Sequence, residues 1–300
     1  MTLIEKIVEV MDKIWFGFGK LFRLRGHGIS ILVPFHSNDP HNQRAKNWAW
    51  LHRYWRKQLP GAEIIIGVDE EAGPNTPFSK SCAINNAASR ASGDIFVIVD
   101  ADGYVPISTV LHCAEEIRKA RCLHKRLWFV PYRHFYRLTE AATEKVLRSD
   151  PAHPYSFGKR PSEDDVLNMC DFNGTSGSAV GHWYGALIQI LPAEAFEIVG
   201  GWDPRFRGWG GEDSSAMRAT DTLYWPHKTI PGPVFHLWHP FKMVQSTNIY
   251  LSKHRLWENQ GESSANNFLS NRYYKAQGIV DRMRKLVDEW KNPSDNKLAK

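Results

Sequence analysis

The chain has 300 residues, of which 42% are hydrophobic, 12% aromatic and 23% charged, a globular composition that excludes collagen, coiled coil and disordered scaffold. Lys and Arg number 38 against 32 Asp and Glu, a net charge of +6 that suits an anionic substrate, nucleic acid or an acidic membrane surface without choosing among them. The four cysteines, Cys82, Cys113, Cys122 and Cys170, include no CxxC pair, so neither a disulfide framework nor a zinc knuckle is expected, and they read as reduced structural thiols in a cytoplasmic protein.

Residues 1–27 read as an amphipathic helix. Ile4, Ile7, Val8, Met11, Trp15, Phe18 and Phe22 recur at helical spacing, with Glu5, Glu9, Asp12, Lys13 and Lys20 between them; these charges exclude a transmembrane span and argue against a cleaved signal peptide. Two readings stand: a helix packed on its own domain, or peripheral membrane contact through residues 1–25, whose second half is aromatic and basic. From Gly28 the pattern changes. Strands are expected at Ile29–Phe35, Ala62–Val68 and Asp94–Val99, with helices at Asn42–Gln58 and Ser79–Ala91 between them, the alternation of a doubly wound, mostly parallel sheet. A short strand at Trp128–Val130 follows, then a loop over 149–176, order again at Gly185–Leu191, a helix at Ala193–Val199, another from near Gly211, and a last strand at Pro233–His236. The remainder, 241–300, is polar, with one helix at Ala276–Trp290 and a basic tail.

Three clusters carry chemistry. Asp100-Ala101-Asp102-Gly103 follows a buried strand, at the carboxyl end where open α/β sheets bind ligands, and its two carboxylates suit a hard divalent cation bridging a diphosphate. Gly200–Asp213 (GGWDPRFRGWGGED) combines glycines that permit close backbone approach, two tryptophans and a carboxylate pair entering a helix, where the dipole keeps Glu212 or Asp213 ionised and able to take a proton. His236 and His239 stand three apart; in a strand they would face opposite sides, so one metal ligand is expected from the pair.

The order of a strand ending in Pro34-Phe35, Asp69 after the next strand, DADG at 100–103, GGWDPRFRGWGGED at 200–213 and HLWH at 236–239 resembles nucleotide-sugar glycosyltransferases of the GT-A fold, specifically family-2-like enzymes with a galactosyltransferase-type C-terminal segment. The resemblance implies a GT-A domain over 28–240: a Rossmann-like α/β fold with a mostly parallel twisted sheet flanked by helices, the amphipathic helix before it and a helical extension after it. It further implies a UDP-sugar donor and Mn²⁺ or Mg²⁺. Pro34, Phe35, Arg44, Asp69, Lys80 and Asp100 would then lie on the nucleotide side, Asp102 would bind the metal, and His236 would be the further ligand with His239 in reserve. Trp209 would line the boundary between donor and acceptor, Glu212 would bond a sugar hydroxyl and Asp213 would be the general base of an inverting transfer. Trp183, Tyr184 and Trp202 are expected on the acceptor side. The acceptor the resemblance implies is a glycan, lipid or protein hydroxyl; alternatives are a modified base of DNA, or a carbohydrate-binding protein without catalysis.

Overall fold

The computed structural model describes residues 25–36, 39, 41–73, 75–171, 187–208, 210–240 and 265–292. The expected N-terminal helix and the expected site residues Trp183, Tyr184 and Trp209 therefore lie outside the described residues. Three buried strands, β1 (Ile29–Pro34), β2 (Glu63–Gly67) and β3 (Ile95–Val99), run parallel with β1 in the middle. Helix α1 (Gln43–Gln58) connects the first pair and α2 (Lys80–Ala88) the next. Each starts at a side-chain cap: Asn42 accepts from Ala45 N and Ser79 from Cys82 N. At Gly67 the helix α2 lies so close to β2 that an added Cβ would stand 1.9 Å from the Ala83 carbonyl oxygen, so only glycine fits there.

Beyond β3 the sheet becomes mixed. Its order is β2-β1-β3-β8-β5-β9, with β5 at Phe129–Val130, β8 at Ile188–Pro192 and β9 at Lys228–Thr229. Strand β8 is antiparallel to both β3 and β5, a departure from the all-parallel alternation. Parallel neighbours need a crossover, usually helical, and β8 is reached from a second sheet instead. That sheet has the order β4-β10-β6-β7, formed by β4 (Gly103–Tyr104), β6 (His134–Leu138), β7 (Val166–Asp171) and β10 (Pro233–His236).

Within the 149–176 stretch expected to be largely loop, β7 forms a strand over Val166–Asp171 and pairs antiparallel with β6. As the last strand of its sheet, β7 exposes Leu167 (57%) and Met169 (46%), so its sequence lacks the buried run that marks an inner strand. Helix α3 (Ile107–Cys122) covers the main sheet, α4 (Glu140–Arg148) follows β6, and α5 (Ala193–Val199) and α6 (Glu212–Leu223) precede β9. The helix expected at Ala276–Trp290 is α8 (Val280–Lys291), and a further helix, α7 (Ala265–Ala276), precedes it; the two are separated at Gly278, which has φ +76°. Leu269, Tyr273, Met283 and Leu286 of these helices share a core with Val199, Phe206, Ala219 and Leu223. Much of the tryptophan goes into the main core, where Trp50, Trp55 and Trp128 are fully buried.

Candidate functional site

Strand β3 ends at Val99 and the chain turns at once, with Gly103 N donating to the Asp100 carbonyl at 3.2 Å. Strand β10 pairs with the short β4 so that His236 stands opposite Gly103, and Leu237 N donates to the Asp102 carbonyl at 2.7 Å. Only His236 of the histidine pair is in the strand. Past it the chain is held by Trp238, whose N–H donates to Thr143 Oγ1 and whose carbonyl accepts from Asn47 of α1. The strand rule that would send His239 to the far side therefore stops applying at His236, and Asp102, His236 and His239 bring their ligand atoms within 4.8 Å of one another. The expectation of one histidine facing this carboxylate is corrected to two.

Asp102 is buried, its oxygens 3.8 Å from His236 Nε2 and 3.4 Å from His239 Nε2, with Arg44 Nε at 3.5 Å. Burial alone would raise its pKa, but His236, Arg44 and His239 outweigh it and hold the carboxyl below its ordinary range. Burial pushes the His236 imidazole down to about 4, so it is neutral near pH 7, and its buried Nδ1 has no hydrogen-bond partner. A buried polar atom without a partner is costly unless something absent from the protein satisfies it.

Beside this cluster lies a second one, built on charge. Lys80, at the start of α2, places Nζ 2.6 Å from Asp100 Oδ1 and 2.6 Å from Asp213 Oδ1, and 5.7 Å from the centre of the Trp202 ring. Burial opposes its charge, yet Asp100 and Asp213 keep Lys80 protonated well above the usual lysine range. Helix α6 starts after Gly211, whose φ of +89° is a left-handed conformation, and it carries Glu212 and Asp213 in its first turn. Glu212 accepts from Gly210 N at 3.0 Å. Burial raises the Asp213 pKa well above its ordinary value; Lys80 acts against this, while Glu212 and Asp100 reinforce it. Burial likewise raises Glu212 and Asp100.

The other expected site residues fall into two groups. Pro34 closes β1, and Phe35 is half-buried with its ring 6.1 Å from that of Trp48. Asp69 and Trp202 are both buried. The Asp69 side chain is 1% exposed, its carboxylate accepting from Ser79 N at 2.7 Å and from Arg207 Nη1 at 2.9 Å, so it anchors the 200–211 segment. Trp202 is 3% exposed and lies under Lys80, with its backbone held by Asn85 at both N–H and C=O.

Two residues escaped the sequence reading. Arg207 is buried and bonds Asp69 and Glu71; its one signal in sequence is a second arginine, two residues after Arg205, at the edge of the glycine-rich run. Asn266 of α7 donates to the Arg207 carbonyl at 3.0 Å, and nothing in the sequence of that polar helix sets it apart.

No family model matches the sequence, and no curated protein does. Among solved structures the chain is similar to the Drosophila β-1,4-galactosyltransferase 7 in complex with manganese, UDP-Gal and xylobiose, at TM-score 0.32 and 15% identity; 68% of this chain and 64% of that one are covered, so the chain spans less than two thirds of that structure. It is similar also to GalNAc-T7 with UDP, GalNAc and Mn²⁺, at TM-score 0.44 and 12% identity over 88% of this chain and 54% of that one. A third is a mannosyltransferase from Pyrobaculum calidifontis with GDP-Man and Mn²⁺, at TM-score 0.41 and 12% identity over 95% and 84% of the two chains.

Proposed function

We propose that the chain is a metal-dependent, inverting glycosyltransferase that moves a sugar from a nucleotide-sugar, a UDP-sugar in the first instance, to a hydroxyl of a glycan, lipid or protein. The observation that carries this reading is the joining of two clusters at one end of the sheet: Asp102, His236 and His239 within 4.8 Å, and Lys80 bridging Asp100 to Asp213. A carbohydrate-binding protein has no need of both.

The residues fit a divalent ion. The set offers one carboxylate with two imidazoles whose Nε2 atoms face it, which suits Mn²⁺ better than Mg²⁺ with its preference for oxygen ligands. Such an ion, when bound, offsets the negative charge that develops on a departing nucleoside diphosphate.

The protein's own groups do the rest. Lys80 adds a fixed positive charge beside Asp100, in a buried setting where it acts more strongly than in water. Asp213 takes the proton of the acceptor hydroxyl as that oxygen attacks the anomeric carbon from the side opposite the leaving group, which inverts configuration. Its raised pKa brings it nearer the working pH of a general base. Glu212, fixed through Gly210 N, is assigned to a sugar hydroxyl.

The test is nucleoside diphosphate release from UDP-, GDP- and TDP-sugars, with and without Mn²⁺, followed by an acceptor screen. One donor cleaved only with metal, and not by Asp102→Asn, is the expected result. For Asp213→Asn the acceptor-dependent rate should fall about 10²–10⁴-fold with donor affinity little changed. Cleavage that survives chelator and Asp102→Asn would overturn the metal assignment, and a product of retained configuration would overturn the role of Asp213.

A further inference from the structure

Arg44 stands in the first turn of α1, two residues after its Asn42 cap. A cation is disfavoured at that end of a helix, where the dipole is positive, and α1 has no acidic residue in its first turn to offset it. What holds the guanidinium lies outside the helix: Nη2 is 3.3 Å from His239 Nε2, and Nε is 3.5 Å from Asp102 Oδ2.

The direction of the first contact follows from chemistry. A guanidinium has donors only, so His239 Nε2 accepts with its ring lone pair. The ring hydrogen of this neutral imidazole is then on Nδ1, which donates to the Pro240 carbonyl at 3.1 Å. The same Nε2 is 3.4 Å from Asp102 Oδ2, in the cluster where the ligand atoms of Asp102, His236 and His239 converge. Arg44 and a divalent ion held by these residues therefore draw on one lone pair of His239, and their charges repel as well. The Arg44 side chain is 56% exposed, so it can turn out to solvent without opening the core, which the buried Lys80 cannot do.

We propose that Arg44 is an exchangeable cation of this site: it bonds His239 and Asp102 until a divalent ion takes those atoms, and its released guanidinium then pairs with the diphosphate of the nucleotide. This rests on the metal-dependent reading above. Metal and nucleotide are thereby coupled, because the ion frees the cation that the diphosphate uses.

The test is calorimetric titration of the full chain with MnCl₂ alone, and then with UDP and GDP at saturating Mn²⁺, for the native protein and for Arg44→Gln, which keeps the helix propensity of the position. Mn²⁺ should bind Arg44→Gln about 10-fold more tightly than the native chain. Whichever nucleotide the native chain holds better should bind the variant about 10-fold more weakly. A variant that merely disturbed the fold would lose affinity for both. In a His239→Ala background the gain for Mn²⁺ should shrink to about 3-fold or less, since the contested lone pair is gone. No gain in Mn²⁺ affinity with Arg44→Gln, a gain of equal size with and without His239, or no loss of nucleotide affinity would each overturn the proposal. Mn²⁺ bound equally by the native chain and by Asp102→Asn would overturn the metal reading itself, and the proposal with it.

Discussion

His236 shows how one side chain can be placed for two kinds of consequence. Its imidazole has a pKa of about 4 in the folded protein against 6.5 when free, so below pH 6.5 the unfolded chain takes up the proton first. The stability attached to this group is complete above pH 6.5 and is lost as the pH falls toward 4, by about 3 kcal/mol at 1.36 kcal/mol per pH unit. Urea midpoints of the metal-free protein between pH 7.5 and 4.5 should therefore fall less steeply in His236→Gln than in the native chain. Lys80 poses the opposite problem, a charge whose removal leaves two carboxylates facing each other. Lys80→Met should cost about 3 kcal/mol, read from denaturant midpoints, and adding Asp213→Asn should recover part of that loss because one stranded carboxylate is gone.

At the scale of elements, close approach explains more than propensity does. Helix α2 can bring Lys80 to Asp100 because Gly67 lets it settle on β2. Gly67→Ala would force the two apart, and a loss of about 3 kcal/mol or failure to accumulate folded protein is expected in thermal melts. The same logic governs legibility. The helices α1, α2 and α5, and the strands β1 to β3, were readable within a few residues, since caps and buried apolar runs are local features of sequence. Strand β7 was not readable, because an edge strand with Leu167 and Met169 in solvent owes its form to pairing with β6. Strand β8 was readable as an ordered segment, but its antiparallel direction was not, since direction follows from the route by which the chain arrives.

Across the whole molecule, the C-terminal helices are tied to the site. Asn266 bonds the Arg207 backbone, and Arg207 bonds Asp69, so α7 reaches the glycine-rich segment ahead of Glu212 directly and Asp69 through one further hydrogen-bonded step. Asn266→Ala should cost about 1–3 kcal/mol by leaving the buried Arg207 carbonyl without this donor. If α7 positions that segment, the variant should also lower turnover more than it raises the KM for donor. Leu286→Ala, in the shared core of α6, α7 and α8, should cost about 2–5 kcal/mol in the same unfolding transition as the sheet. Two separate transitions would mean that the C-terminal helices fold as an independent unit.

The sequence by itself determined which residues carry charge and metal-ligand chemistry, and where the inner strands and capped helices run, because those properties belong to a residue and its near neighbours. Asp100, Asp102, Glu212, Asp213 and His236 could be singled out on that basis, together with the turn after β3 that presents the first two. Only the tertiary structure decided what each would meet. It turned His239 back to Asp102 beyond the end of β10, set Lys80 between two carboxylates 113 residues apart in the chain (213 − 100), and withdrew Asp69 and Trp202 into the interior. These outcomes depend on strand direction, helix seating and burial among distant segments, and no local pattern of residues encodes the partner that packing will bring to a side chain.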